Sequence, residues 1–600
     1  MDENNRNFIF AIVLSIAVLF AWQFFYGLPK QHQQEAGKQQ QEQPLQPGAP
    51  QPEAESAPVA PSAPVPIAQT REAALAASPR IAIDTPSLKG SIALKGGRID
   101  DLVLAKYRDT VAPDSPNVVL LSPAGSPHPY YADYGWVGAA NDLGLPAPDS
   151  LWTAQSQAPL TPQSPVTLTF DNGKGLTFTR TIAVDENYMF TITDAVANKG
   201  ADPVSISPYG LVTREEVPPK TNYWILHEGL IGVFDDGYEP LTYKKAMALN
   251  GTPTKFTSKS GWLGITDKYW ATVLVPPQDK EFTAQFNGAT TGERGLFRSD
   301  FVMASRELAP GATTESKNQM FAGAKEVSVV DSYGARYGIP KFDLLIDWGW
   351  FYFLTKPMFF ALDYFYKLVG NFGIAILIVT LCIKLVLFPL ANKSYVSMSK
   401  MKMLGPEMQR IKDRFADDRV RQQQAMMELY KKEKVNPASG CLPILVQVPV
   451  FFSLYKVLFV TIEMRHAPFF GWIKDLSAPD PTNVFNLFGL IPFEPSQVPV
   501  IGHLLVIGVW PLIMGLTMFV QMRLNPAPPD PVQQKVFAWM PLFFTFLLAS
   551  FPAGLVIYWA WNNSLSILQQ SVIMTRQGVD IPLLENLGIK SRKAKRETKG

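Results

Sequence analysis

Phe372-Gly-Ile-Ala-Ile-Leu-Ile-Val-Thr-Leu-Cys-Ile-Lys-Leu-Val-Leu-Phe-Pro-Leu390 is an apolar run interrupted by one charge, Lys384. It approaches the ~20 residues a helix needs to cross a bilayer. A cation near the middle of such a helix costs about 2.5–3.5 kcal/mol on insertion scales, which makes Lys384 a candidate functional residue. The chain beyond it is densely basic, with Lys393, Lys400, Lys402, Arg410, Lys412, Arg414, Arg419, Arg421, Lys431, Lys432 and Lys434. By the positive-inside bias this loop is cytoplasmic. The sequence therefore predicts a multi-domain membrane protein with a cation held inside the bilayer, just above a basic hairpin.

Bulk composition conceals this division. The 600 residues carry 54 Lys and Arg against 52 Asp and Glu, a net charge of +2. A mean hydropathy of +0.03 averages a polar first half with an apolar second half. The basic residues gather in the 393–434 loop and in the tail from Lys590 to Lys599. Cys382 and Cys441 both fall in apolar segments and imply no disulfide framework. The chain has no GxxxxGK[ST] phosphate loop, no HExxH and no CxxC pair. No cofactor or metal is expected, nor a catalytic residue.

Working outward, residues 1–28 contain the apolar run Phe8 to Tyr26. Asp2 and Glu3 spoil a signal peptide's basic start, and Trp22, Phe24, Phe25 and Tyr26 replace its small cleavage site. An uncleaved anchor is expected. Residues 29–79, rich in Gln, Pro and Ala, bury too little apolar surface to order and read as a tether. Residues 80–341 show short alternating runs split by turn signals. Val166 to Phe170 and Leu176 to Ile182, joined through Asp171-Asn-Gly-Lys-Gly175, predict a hairpin. Further strands are expected at 188–196, 205–212 and 271–275, giving an all-β sandwich outside the membrane. Its two histidines, His128 and His227, have no paired carboxylates placed around them and are expected to be structural.

Residues 342–371 are aromatic and apolar but interrupted by Lys356-Pro357, with Asp363 and Lys367 marking a polar face. They predict an amphipathic helix lying in the interface. Spans are then expected at 372–391, 441–461, 501–522, 536–551 and 553–574, about six with the anchor. Residues 392–440 form the cytoplasmic hairpin, 462–500 an external loop, 523–535 a cytoplasmic connector and 575–600 a basic cytoplasmic tail. Both termini are then cytoplasmic, although Lys30 and Lys38 outnumber Arg6 around the first span.

Several polar residues share these spans with Lys384. Thr380 lies one turn away, Gln447 sits in the third span, and Asn562, Asn563, Ser564 and Ser566 fall in the last. Each is able to bond across to a neighbouring helix. Together they are able to line a water-filled indentation that draws acidic segments toward the cation. In the basic loop, Met398, Met401 and Met408 recur at three- and four-residue spacing or its multiples, and Met426 and Met427 follow an Asp417-Asp418 cap. That pattern is a hairpin seam, and its methionines also suit contact with apolar segments of varied shape.

The chain closely resembles the YidC/Oxa/Alb family of membrane protein insertases, of the Gram-negative type with a large periplasmic domain. The resemblance is carried by Gly370-Asn-Phe-Gly373, Ser397-Met-Ser-Lys-Met-Lys-Met-Leu404, Tyr430-Lys-Lys-Glu-Lys-Val-Asn-Pro437, Gly440-Cys-Leu-Pro443, Gln447-Val-Pro449, Asp530-Pro-Val-Gln-Gln-Lys535 and Phe551-Pro-Ala-Gly-Leu-Val-Ile-Tyr558. It covers nearly all of 340–575. It implies a β supersandwich like that of galactose mutarotases, without an enzymatic role. It also implies substrate contacts at Thr380, Val448, Pro449, Tyr558 and Trp559. The implied partners are nascent membrane proteins, the ribosome, the Sec translocon including SecDF, and membrane lipids in the bacterial inner membrane. The chain departs from the family at Lys384, where Arg is usual, which keeps the charge and loses the planar fork. It also departs at 482–500, an enlarged external loop. A small-solute transporter is the main alternative, but paired repeats with broken helices are not evident. An anchored sugar-binding protein is the third reading.

Overall fold

The computed structural model describes residues 70–577 except 139–142, 217–225, 236, 292–293, 434, 436–441, 493–494, 496–497, 499–501, 503–505 and 526–530. The expected anchor, the tether and the basic tail lie outside the described residues.

From Arg80 to Ala324 the chain forms two antiparallel sheets of ten and nine strands around a shared core. Alternation makes it so. In the strand Leu176–Val184, residues 176, 178, 180, 182 and 184 are buried while those between them are not. The predicted hairpin pairs Val166–Asp171 with Leu176–Val184. Asn172 closes its turn by accepting from the backbone N–H of Lys174 and Leu176, and Gly173 and Gly175 supply φ of 66° and 95°. The inward position 180 holds an arginine. Its Nε donates to Asp194 at 2.6 Å and its other nitrogens donate to the carbonyls of Gly97 and Tyr134, so the buried charge is matched. His128 is exposed at the rim, 3.4 Å from a Glu216 carboxylate that the sequence did not place beside it, and the His227 ring bonds the Leu230 carbonyl.

Short helices α1 (Arg71–Ala76) and α2 (Tyr243–Met247) decorate this domain, and α3 (Val327–Tyr337) leaves it. Helix α4 (Tyr352–Val369) runs through Lys356-Pro357 without breaking. Thr355 bonds the Phe351 carbonyl in this turn, and Lys356 reaches back to Asp331 and Asp343 at 3.0 and 3.1 Å. Phe353, Phe360, Tyr364 and Leu368 are left exposed on α4, while Asp363 pairs with Lys367. Gly370 ends it at φ 70°, and Asn371 caps the next helix through Ile374 N.

The remaining helices are α5 (Phe372–Val386), α6 (Phe388–Met403), α7 (Gly405–Arg414), α8 (Arg419–Lys432), α9 (Leu442–Val460), α10 (Val509–Leu524), α11 (Pro531–Leu548) and α12 (Ala553–Arg576). Two differences from expectation have clear causes. The expected single helix over 372–391 ends at Val386 and turns by 67° into α6. Pro389 has no N–H to continue the ladder and belongs in the first turn of a new helix. Lys384 thus lies in the last turn of α5, where its charge meets the free carbonyls favourably. The helix expected from 501 begins at Val509, where Thr482 Oγ1 accepts Val509 N and Asp480 accepts Trp510 N.

Among the described residues no single helix is both long and apolar enough to cross a membrane alone. The bent pair Phe372–Val386 and Phe388–Met401 meets that test together. The basic hairpin is α7 and α8, with Asp418 capping α8 through Arg421 N as the sequence predicts.

Candidate functional site

Helices α5, α6, α9, α10 and α12 surround a cavity of about 110 Å³. That is room for several waters, given polar partners on the wall. Thr380, Lys384, Gln447, Tyr558 and Asn562 all line it, as does Met398 from α6. The sequence placed these residues on four separate segments, and folding brings them together. Lys384 Nζ donates to Ser566 Oγ at 2.7 Å, while the Ser566 hydroxyl donates to the Asn562 carbonyl at 2.8 Å. Ser566 therefore presents a lone pair to the ammonium and holds it at the wall. Among the described residues no Asp or Glu lines the cavity, and none pairs with Lys384. The cation is solvated by neutral dipoles and retains its field.

The wall is fixed by cross-helix bonds. Trp561 Nε1 donates to the Leu377 carbonyl at 3.1 Å, tying α12 to α5. Gln570 Nε2 donates to Asn525 Oδ1 at 3.2 Å, tying α12 to α10. Thr380 turns its hydroxyl to Ile376 O in its own helix. Sequence reading did not single out Tyr395, Gln521, Asn525 and Gln569, which complete the polar lining. Gln521 and Asn525 sit at the end of α10, Tyr395 in the middle of α6 and Gln569 two turns before the end of α12; only their shared inward face distinguishes them.

Other expected contact residues lie elsewhere. Asn563 faces α10, donating to Thr517 Oγ1 at 3.3 Å. Trp559 packs on Phe451 and Phe544, with ring centroids at 4.8 and 5.7 Å. Val448 is exposed and Pro449 half-buried on α9, outside the cavity lining. Met401 and Met426 are half-buried and Met427 is exposed, while Met408 Sδ accepts from the Tyr430 hydroxyl at 3.8 Å within the hairpin seam.

A second polar constellation joins the β domain to the far end of α9. Lys456 Nζ lies 2.9 Å from Asp347, which also accepts His227 N. Glu463 Oε1 accepts Val327 N at 2.8 Å and so caps α3 from another part of the chain. Arg465 donates to the Asp109 carbonyl. Beside them Glu326 accepts from the Tyr107 and Tyr188 hydroxyls. Burial, with Glu326 and Asp363 adding repulsion, raises the Glu463 carboxyl to about 7. Burial also lowers the Lys325 ammonium to about 8, although its Nζ donates to Thr266 Oγ1 and the Asp267 carbonyl.

Comparison with known proteins agrees with both halves of this architecture. Residues 80–361 match the family model described as the YidC periplasmic domain, and 364–579 match that of the 60Kd inner membrane protein. The membrane protein insertase YidC of Bradyrhizobium diazoefficiens is 53% identical over 614 aligned residues, covering 98% of each chain. An active YidC insertase crystal structure covers 82% of this chain and 91% of its own, at 18% identity and a TM-score of 0.35. A galactose mutarotase related enzyme from Lactobacillus acidophilus covers 41% of this chain and 97% of its own, at 10% identity and a TM-score of 0.28. Two domains met in this order, one a β sandwich and one a helical inner-membrane unit, define a membrane-associated protein of insertase type. The chain belongs to the YidC family of membrane protein insertases.

Proposed function

We propose that this chain inserts and assembles integral proteins in the bacterial inner membrane, using the Lys384 cavity as a wet groove part-way through the bilayer. The observation that carries the reading is the cation on a polar wall with no carboxylate to neutralise it among the described residues. A short hydrophilic segment crossing a bilayer loses its water at a cost of several kcal/mol per polar group. Groove dipoles and water replace part of that hydration. An acidic side chain about 6 Å from Lys384 would gain about 3 kcal/mol at an effective dielectric near 20. Burial of the substrate's apolar helix in lipid, about 25 cal/mol per Å², then drives the step forward with no bond made or broken.

In this reading about six spans cross the membrane, with the β domain periplasmic and both termini cytoplasmic. The exposed belt of Trp539, Leu542, Phe543, Phe546 and Leu547 on α11 supports contact with lipid. The sixteen residues of α10 measure about 24 Å, short of a ~30 Å hydrocarbon core, and fit a locally thinned bilayer. Work alone or beside the Sec translocon and SecDF, with ribosomes delivering chains to the basic hairpin, completes the proposal.

Insertion into proteoliposomes tests it. Lys384→Ala should slow a substrate with an acidic hydrophilic tail at least tenfold and a neutral-tailed one far less, while Lys384→Arg should retain both. Equal rates for the two substrates with the Ala variant would refute the electrostatic role.

A further inference from the structure

We propose that the outer face between α5 and α12 holds an anionic phospholipid, with its phosphate at Arg576 and one acyl chain along the groove between the two helices. This rests on the reading that α5 and α12 cross the bilayer. A second cavity, of about 310 Å³, lies on this face, and Lys384 lines it as well as the first. Lys384 and Gln569, which lines both cavities too, thus form the partition between a polar compartment and a largely apolar one.

The second cavity has two distinct ends. Its long wall is mainly apolar, with Leu381, Leu385 and Phe388 from one side and Leu568 and Val572 from the other, and Gln569 the polar exception beside Lys384. Four-residue spacing puts Leu381 and Leu385 on one face of α5, and Leu568 and Val572 on one face of α12, while Phe388 follows from the start of α6 beyond the bend. These side chains are not packed against one another. Leu385 and Leu568 are 63% and 61% exposed although their helices touch, so the face is left for an apolar occupant. The other end is polar, formed by Asn392, Arg576 and Gln577. No Asp or Glu lines the cavity, and Arg576 makes no ion pair among the described residues.

An apolar slot with an unneutralised guanidinium at its cytoplasmic mouth has the polarity of a phospholipid and selects a net negative headgroup. The headgroup does not compete with the first cavity. Arg576 lies ten residues beyond Ser566, about 15 Å along α12, so the Lys384 ammonium keeps its bond to Ser566 while Arg576 takes the phosphate. The lipid would seal the outer side of the Lys384 partition against the acyl phase.

Photolabelling distinguishes this from ordinary annular lipid. The full-length protein would be reconstituted in phosphatidylcholine vesicles with a trace of phosphatidylglycerol or phosphatidylcholine bearing the same diazirine acyl chain. Phosphatidylglycerol should label peptides covering 381–388 and 565–573 about fivefold more than phosphatidylcholine, since one such contact is worth about that factor. Both lipids should label the exposed face of α11 equally. Arg576→Gln should bring the ratio at the α5–α12 face close to one, and Leu568→Trp should reduce labelling by both lipids there. Equal labelling in the wild type, or an unchanged ratio in Arg576→Gln, would overturn the site. Absence of label from either lipid on any helix would instead overturn the membrane embedding on which it rests.

Discussion

Glu463 gives the sharpest quantitative test, because it joins the two halves of the molecule and its protonation has a definite sign. Its carboxyl sits behind the first turn of α3, with Oε1 on Val327 N at 2.8 Å and Oε2 buried without a partner among the described residues. Burial raises it from its ordinary 4.5 to about 7, and the nearby Glu326 and Asp363 push the same way. The folded form therefore binds the proton more tightly than the unfolded chain does. Its contribution to stability is fully present below about pH 4.5 and is lost as pH rises through about 7. A rise of that size is worth on the order of 3 kcal/mol.

Glu463→Gln preserves the shape, leaves a carbonyl oxygen for Val327 N and removes the ionisation. The variant should be more stable than the wild type at pH 8 by about 2–3 kcal/mol and close to it at pH 5. Chemical unfolding of the detergent-solubilised protein at both pH values, with exchange of the Val327 amide as the local reporter, measures this. Parallel stability profiles for the two proteins between pH 5 and 8 would refute the reasoning. So would a variant that is less stable at pH 8, since that would make the charge on the α3 terminus the larger effect.

Two further outcomes follow from the proposed topology and from the tail. Reporters fused near Pro340 and after Asn371 should both read external and one near Lys412 cytoplasmic; opposite sides for the first two would make 347–369 a span and reverse the parity. Deleting 588–600 should weaken ribosome co-sedimentation at low salt, with the wild-type advantage shrinking as salt rises. Equal co-sedimentation at low salt would leave the tail as a topological anchor alone.

Lys384 was legible because a charge in an apolar run costs so much that it has few innocent explanations. The β sandwich was legible for a related reason: alternation of period two survives in Leu176–Val184 even where the inward residue is Arg180. The bend between α5 and α6 was partly written in Pro389, but its consequence for Lys384 was not. A proline marks where a ladder stops, and only packing decides whether the chain kinks or turns through 67°. Thr380, Gln447, Asn562 and Ser566 were legible as polar residues in apolar spans, but the remaining polar wall was not. Gln521 and Asn525 on one helix and Gln569 on another acquire meaning only when α10 and α12 are seen to face each other. Asn563 shows the converse, since it is adjacent to Asn562 in sequence and a helical step of about 100° turns it away toward Thr517.

Helix α9 connects the two constellations and limits how the groove can open. Gln447 lines the cavity and Lys456 binds Asp347 of the segment below the β domain. Nine residues separate them, about 13 Å along the axis and half a turn around it, so groove and docking site occupy opposite faces. A rigid α9 could not swing away from the groove without pulling Lys456 from Asp347 or carrying the β domain with it. Pro449 lies between the two contacts and cannot donate the bond that would stiffen that turn. The helix therefore bends at least cost between its groove half and its docked half. In the proposed function, a polar clamp at one end, a proline in the middle and a polar wall at the other would let the groove half yield to a passing segment while the β domain stays seated.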